Sequence, residues 1–159
     1  MAQQPDMVRA KATFDTLCRT MESNEWKFAK DEEKLCVDFG IQGDDLPVQI
    51  NMHVDARREV VVLLSQMPFS VGEDKRMDLA VAVSVVNSHL VHGCFDFDVR
   101  SGKLVFRMSN SYFASTVGQE LFDYMAVIAY NTVEAYNDKF LMLAKDMLSL
   151  EKFLESENG

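Results

Sequence analysis

The sequence lacks both an apolar run long enough to cross a membrane and a cluster of basic residues. A membrane-spanning helix needs about 18–20 apolar residues, and a secretory leader needs an apolar stretch that the opening residues MAQQPDMVRAK do not contain. Lysine and arginine total 16 against 25 aspartates and glutamates, which gives a net charge of −9. Nucleic-acid binding needs clustered positive charge. We therefore expect neither a membrane nor a nucleic acid as a partner.

Cysteine is also scarce, with three residues and no CxxC pair. Cys18, Cys36 and Cys94 cannot all pair within one chain, so the simplest interpretation is that they are free thiols acting as small apolar residues. Free thiols are typical of reducing compartments, which predicts a cytoplasmic protein. A chain of 159 residues with 48% hydrophobic content is long enough to fold without a disulfide or a metal. We expect a single domain over residues 1–159.

The common catalytic signatures are missing. The nucleophile elbow G-x-S-x-G, the glycine-rich phosphate loop and the zinc motif H-E-x-x-H are all absent. Each of these motifs places a nucleophile, a phosphate or a metal at a fixed point of a fold, so their absence argues against the corresponding chemistry. We predict no catalytic residue and no cofactor, and we expect that the protein is not an enzyme.

Periodic apolar residues predict a helix followed by several strands. Pro5-Asp6 is typical of a helix start, and apolar residues then recur at helical spacing over residues 6–22. Apolar and polar residues alternate over 35–41 and again over 46–55, which indicates strands with one buried face. The segment 59–67, EVVVLLSQM, carries apolar residues on both faces. We expect a helix or a second subunit to cover its second face.

A capping box predicts the start of a second helix. Ser70 and Glu73 match the pattern S-x-x-E, in which the two side chains bind free backbone N–H groups of the first turn. The helix is predicted over about 71–91, although its many valines also suit a strand. Gly93 is placed to end it, because glycine readily adopts the left-handed conformation found at helix C-termini.

A second capping box, Thr116 with Gln119, opens the C-terminal run of residues 116–155. Apolar residues recur at helical spacing before and after a polar stretch at 137–139. The sequence leaves open whether this run is one long helix or two helices with a break near Asn137.

Between these helices the sequence predicts a β-hairpin. Residues 95–99 and 104–108 alternate apolar and polar side chains around a Ser101-Gly102 turn. The predicted order of elements is therefore α-β-β-β(-β)-α-β-β-α. Short connections and a hairpin indicate antiparallel pairing. We predict an α+β protein in which helices pack on an antiparallel sheet of five or six strands.

The segment NSHLVHGCFDFDVRSGKLVFR, residues 87–107, concentrates side chains that can bind metals. His89, His92 and Cys94 are residue types that ligate zinc, but a structural zinc needs four ligands, and no second cluster supplies the rest. Cys94 would also need a base and a setting that stabilises its thiolate in order to act as a nucleophile. We interpret the segment as the junction of a helix with a hairpin rather than as a site.

The same residues resemble the signature of the YbjN domain family. The resemblance rests on Asn87 and on the pattern GCFDFDVRSGKLVFR, residues 93–107, in which a G-x-F strand start leads through a glycine turn to a return strand ending in F-R. The resemblance covers the chain from about residue 10 to about residue 155. The family carries the label of sensory transduction regulator. Its fold is similar to that of type III secretion chaperones, which are small acidic dimers that hold extended segments of partner proteins.

The resemblance implies structural roles for six motif residues: Asn87, Gly93, Phe95, Gly102, Phe106 and Arg107. We expect Asn87 to hydrogen-bond backbone groups at the junction, and Phe95 and Phe106 to enter the core. Arg107 lies on the face opposite Phe106, where we expect it to pair with an acidic group.

We hypothesise that the protein is a non-catalytic domain that binds or regulates another protein or peptide, and that it acts as a homodimer. The two-faced segment 59–67, the acidic composition and the ten methionines favour binding, since flexible methionine suits adaptable surfaces. The C-terminal run carries the candidate partner surface, formed by Phe140, Leu143, Met147, Leu150 and Leu154. Two alternatives stay open: a sensor of a small ligand, and a metal protein or enzyme that uses His89, His92 and Cys94.

Overall fold

A computed structural model of the protein describes residues 4–158. These residues form one six-stranded antiparallel sheet with the strand order β1-β2-β3-β4-β6-β5, together with four α-helices. In chain order the elements are α1 (Met7–Ser23), β1 (Phe28–Asp31), β2 (Cys36–Gln42), β3 (Pro47–Asp55), β4 (Val60–Ser70), α2 (Arg76–His89), β5 (Cys94–Asp98), β6 (Lys103–Ser111), α3 (Gln119–Ala144) and α4 (Leu150–Glu157).

Helix α1 begins where the sequence predicts it. Asp6 occupies the N-cap, and its Oδ1 accepts a 3.0 Å hydrogen bond from the Arg9 backbone N–H. The predicted apolar positions of this helix are all buried: Ala10, Phe14, Leu17, Cys18 and Met21. Burial of this face contributes more to the stability of the helix than its intrinsic propensity does.

The strands bury one face of the sheet beneath the helices. Every second residue of β3, from Val48 to Val54, is at most 5% exposed, and the residues between them are not buried. The register carries this alternation across the sheet, because Met52 lies between Val37 of β2 and Leu63 of β4. Such cross-strand pairs stabilise the sheet and set its register. The predicted alternation of β3 is confirmed.

The second helix begins later than predicted. Ser70 is the last residue of β4, and no side chain caps α2, which follows a short 3-10 turn at Glu73–Lys75. The capping-box prediction for Ser70 was therefore wrong, because the pairing of β4 with β6 extends to that residue and holds it in the sheet. The helix that forms, Arg76–His89, lies inside the predicted range 71–91.

The C-terminal run forms two helices, but the break does not lie near Asn137. Helix α3 is continuous through Asn137, which is 1% exposed and faces the core. The break covers residues 145–149, where Asp146 adopts a positive φ of 59°. A polar residue inside a helix is therefore a poor sign of a helix end when its neighbours on the same face are buried.

The capping box at Thr116 and Gln119 was also wrong. The N-cap position belongs to Gly118, which makes no side-chain hydrogen bond, and Gln119 is the first helical residue. The chain leaves β6 through a turn in which Ala114 has a positive φ of 52°, and Thr116 lies exposed in the loop that follows.

The structure confirms the predicted α+β class and the predicted order of elements, with six strands in the sheet. The helices pack on one face of that sheet, and the core lies between them. None of the helices within residues 4–158 is long and apolar enough to cross a bilayer.

Candidate binding surfaces

Asn87 joins α2 to the outer strand β5. Its Nδ2 donates a 2.9 Å hydrogen bond to the Phe95 carbonyl, and its Oδ1 accepts a 2.8 Å hydrogen bond from the Phe95 N–H. One side chain thus satisfies the two backbone groups that a further strand would use at this point. Phe95 and Phe106 are both buried, at 2% and 0% exposure, and their rings pack edge to face. The hydrogen bonds expected of Asn87 are therefore present.

Gly93 turns the chain from the helix into β5. Its φ is 74°, and a Cβ at this position would lie 2.6 Å from Phe106 Cζ and 2.9 Å from the Arg107 carbonyl oxygen. Glycine is required here because it tolerates both the positive φ and the close approach. Helix α2 already ends at His89, so Gly93 forms the turn after the helix rather than its C-terminal cap. Gly102, with φ of 75°, supplies the turn between β5 and β6.

Arg107 and Asp96 pair on the open face of the sheet, opposite the core. Arg107 Nε lies 2.6 Å from Asp96 Oδ2. This hydrogen bond from the guanidinium holds the pKa of the Asp96 carboxyl below its usual range. Burial, together with the charge of Asp96, raises the pKa of the nearby Cys94 thiol. A thiol with a raised pKa is mostly protonated at neutral pH, and the protonated thiol is a weak nucleophile.

The structure does not bring together the three residues of the metal-site alternative. His89 Nδ1 lies 3.9 Å from Glu157 Oε2 of α4. The His92 ring packs edge-on against Tyr124, with 5.5 Å between the ring centroids. Cys94 lies on the open face of β5. In the part of the chain that the structure describes, no three histidine, cysteine, aspartate or glutamate side chains are grouped so that they could hold a metal ion.

Part of the predicted partner surface of the C-terminal run is buried in the core, and part of it remains accessible. Phe140 and Leu143 are at most 1% exposed, because α3 turns this side toward the sheet. Leu150 and Leu154 are half-buried, and Met147 is 71% exposed between the two helices. The break between α3 and α4 interrupts the helical period of these residues, so they differ in exposure. A binding role for the residues that remain accessible stays a prediction.

The second face of β4 is not covered within the described residues. Val60, Val62 and Leu64 alternate with the buried Val61 and Leu63, and they remain half-exposed. The expectation that a helix covers this face was wrong, because the helices pack on the opposite side of the sheet. Coverage by a second subunit stays a prediction.

A groove of about 700 Å³ lies between α1 and the hairpin of β1 and β2. Phe14, Cys18 and Leu35 form its apolar floor. Burial raises the pKa of the Cys18 thiol, so this thiol stays neutral and the floor carries no charge. Charged residues of both signs line the rim: Lys11, Asp15, Arg19, Glu22, Lys30 and Glu32.

Strand β1 borders this groove and is an outer strand of the sheet. It pairs with β2 alone through the four residues Phe28–Asp31. Among residues 4–158, the backbone of Phe28–Asp31 forms no backbone–backbone hydrogen bond with any strand other than β2. An unpaired strand edge presents N–H and C=O groups with which an extended polypeptide can pair. This side of the sheet therefore combines a free edge with an apolar groove.

Helix α2 exposes a face without charge. Met77, Val81, Ser84 and Ser88 lie on this face at helical spacing, and all four are exposed. Met77 is 72% exposed and Val81 is 41% exposed. The opposite face packs on the core through Leu79, Ala82, Val83 and Val86. Depletion of charge is typical of surfaces that pack against another protein, and it is unusual on the surface of a chain with a net charge of −9.

Sequence reasoning missed both the groove and the exposed face of α2. The groove depends on where α1 lies over the sheet, which is set by its contacts with α3 and β3 and which no local pattern reveals. The face of α2 had a signal, because residues 79–90 contain no aspartate, glutamate, lysine or arginine. This uncharged run is longer than the apolar stripe that a helix with one buried face requires.

These features define an α+β protein with one open sheet face and one free sheet edge. No protein-family profile matches the sequence, and no curated protein matches it. Several solved structures share its fold, among them the following two. The crystal structure of YbjN, a candidate transcription regulator from E. coli, superposes with a TM-score of 0.58 and 16% identity, over 77% of this chain and 87% of that one.

The second structure is a chain of the HopA1–SchA chaperone–effector complex. It superposes with a TM-score of 0.56 and 14% identity, over 84% of this chain and 98% of that one. Likeness at such identities establishes the fold and leaves function to be argued from the site. The protein has a YbjN-like fold of the type III secretion chaperone kind, as the motif at residues 87–107 predicts.

Proposed function

We propose that this protein is a non-catalytic polypeptide-binding domain that acts as a homodimer in the cytoplasm and holds an extended segment of another protein. The observation that carries the proposal is the free edge of β1 beside the groove under α1. The likeness to a chain of a chaperone–effector complex supports it. The three free cysteines of the described residues suit a reducing compartment.

The geometry indicates how a segment would bind. A strand added to β1 gains main-chain hydrogen bonds, and every second side chain points to the same face of the sheet. On the inner face those side chains meet the groove, whose floor of Phe14, Cys18 and Leu35 accepts apolar groups. The mixed charges of the rim suit polar residues of either sign at the flanks. The preferred partner is therefore an extended segment with alternating apolar residues.

A substitution that fills the groove tests this proposal. Ala12 lines the groove and is exposed on α1, so Ala12→Trp adds bulk without disturbing the core. Val8→Trp is the matched control, because Val8 is 83% exposed on the same helix and does not line the groove. Peptides would be selected from a displayed library of random 12-residue sequences, and their affinities measured by fluorescence anisotropy.

We expect the wild type and Val8→Trp to bind the selected peptides equally, and Ala12→Trp to bind them at least tenfold more weakly. Equal binding by Ala12→Trp would contradict the placement at the groove. A library that yields no binder would contradict polypeptide binding and favour the small-ligand alternative, for which the same groove is the best candidate cavity.

We infer that the homodimer forms through the uncharged face of α2. Two such faces bring Met77 and Val81 of each copy together, and Ser84 and Ser88 permit close approach of the two helices. A lysine placed in this contact would lose its hydration with no partner, which opposes association. The spacing of the four residues is that of a helix–helix contact.

Sedimentation velocity at micromolar concentration tests the dimer. We expect a dimer for the wild type and a monomer for Val81→Lys. Val62→Lys on the open face of β4 is the control, and we expect it to remain dimeric. If Val62→Lys is monomeric and Val81→Lys remains dimeric, the interface lies on the open sheet face instead of on α2. A monomeric wild type would contradict the dimer.

A further inference from the structure

The C-terminal helix α4 is seated between α2 and α3. Its inward side carries residues at the spacing i, i+3, i+4 and i+7: Leu150, Phe153, Leu154 and Glu157. This spacing is the one by which an amphipathic helix binds in a groove of another protein. The other side of α4 is polar and exposed.

Phe153 is the apolar anchor of α4. It is 0% exposed, and its ring stacks on that of Phe140 with 5.8 Å between the centroids. Phe140 in turn packs against Phe95, with 5.1 Å between the centroids. The floor beneath α4 is therefore aromatic, and it belongs to the main core.

Glu157 is the polar anchor, and its side chain is only 6% exposed. The Tyr136 hydroxyl donates a 3.2 Å hydrogen bond to Oε2, and Lys139 Nζ lies 3.3 Å from Oε1. His89 at the end of α2 places Nδ1 3.9 Å from Oε2. Side chains of α3 and of α2 thus lie close to one carboxylate, which follows the aromatic anchor Phe153 by four residues.

Helix α4 depends on few contacts. A helix of eight residues is too short to be stable alone, so α4 is held by Phe153, by Glu157 and by the half-buried Leu150 and Leu154. The connection at residues 145–149 is largely exposed, and its Asp146 forms an ion pair with Lys75 at the surface. Local opening of such an element costs less than global unfolding.

We propose that the groove between α2 and α3 is a helix-binding site and that α4 is its displaceable occupant. A partner helix takes the place of α4 when it carries an apolar residue, an aromatic residue three positions later and a carboxylate four positions after that. Because α4 is tethered, it competes at a high effective concentration and lowers the apparent affinity for the partner. This site is separate from the edge of β1 and does not depend on binding there.

The test uses the full chain and a fluorescent peptide that copies residues 148–158, LSLEKFLESEN. Phe153→Ala removes the anchor of the tethered helix and frees the groove. Glu155→Gln, on the exposed side of α4, is the matched control. We expect the peptide to bind Phe153→Ala at least tenfold more tightly than it binds the wild type or the control. The same peptide with alanine in place of its phenylalanine should not bind.

A folded Phe153→Ala chain that fails to bind the peptide would overturn the proposal. Hydrogen exchange of the wild type gives a second test that does not depend on the stability of the variant. We expect the amides of α4 to exchange at least tenfold faster than those of α3 near Phe140. Equal rates would show that α4 opens only when the whole domain unfolds, and the proposal would fail.

Discussion

The two edges of the sheet are built in opposite ways. At the β5 edge, α2 runs beside the strand, and the Asn87 side chain binds both backbone groups of Phe95. At the β1 edge, the outer side of Phe28–Asp31 meets no other described element through its backbone. A free edge is a site of uncontrolled pairing unless it is short, charged or covered. The chain therefore binds the outward backbone groups of Phe95 at one edge and leaves the other edge free but short.

The difference indicates which edge is available to a partner. Pairing with Phe95 at β5 would require the Asn87 side chain to leave both backbone groups. Pairing at β1 requires no such change, and the four-residue length of the strand, with Lys30 within it, limits how many further strands can add. One edge is thus bound by its own chain at Phe95, and the other is the edge that the proposed partner would use.

The largest effect is expected from breaking the junction at the β5 edge. In Gly93→Ala the new Cβ clashes with the Phe106 ring and the Arg107 carbonyl, and the positive φ becomes strained. We expect a loss of about 2–4 kcal/mol in the free energy of unfolding, measured with urea. Gly72→Ala is the control and should change it by less than about 0.5 kcal/mol, because Gly72 has a negative φ and meets only the flexible Asp74 carboxylate. A Gly93→Ala variant as stable as this control would contradict the close packing of the junction.

A smaller effect is expected from Asn87→Ala, which uncovers the backbone of Phe95. Loss of both hydrogen bonds leaves a buried N–H and a buried C=O without partners, at a cost of about 1–3 kcal/mol. Hydrogen exchange sharpens the comparison. In the wild type we expect the Phe95 amide to exchange more slowly than the amides on the outer side of β1. In Asn87→Ala this difference should disappear, whereas the exposed control Ser88→Ala should preserve it.

The smallest effect concerns the pair formed by Asp96 and Arg107 at the β5 edge. Because the folded state lowers the pKa of Asp96, its contribution is present above the unfolded value of about 3.9 and is lost as the pH falls through the folded value. The carboxylate is half exposed, so we expect Asp96→Asn to cost less than about 1 kcal/mol at pH 7. The difference from the wild type should shrink as the pH falls below 4. A difference that stays constant over this range would exclude the ion pair as its cause, and Asp45→Asn serves as an exposed control outside the described ion pairs.

Local patterns predicted the features that depend on a few neighbouring residues. The alternation of β3, the cap at Asp6 and the hairpin around Gly102 all follow from the conformational limits of single residues and from a period of two or 3.6. Both capping boxes failed for the same reason: tertiary pairing and turns decided where the helices begin. Ser70 was held in β4 by its pairing with β6, although its local pattern suited a helix cap.

The sequence by itself determined the α+β class and the order of the elements, because these follow from periodicity and from short-range backbone chemistry. The role of Asn87 at the junction was expected from the resemblance to the YbjN family. Only the tertiary structure decided which surfaces remain free. Phe140 and Leu143 entered the core, α4 folded back over them, and Met77 and Val81 stayed exposed on α2. An apolar residue has the same local pattern whether its own chain covers it or a partner does, and the choice depends on contacts between elements that are distant in the sequence.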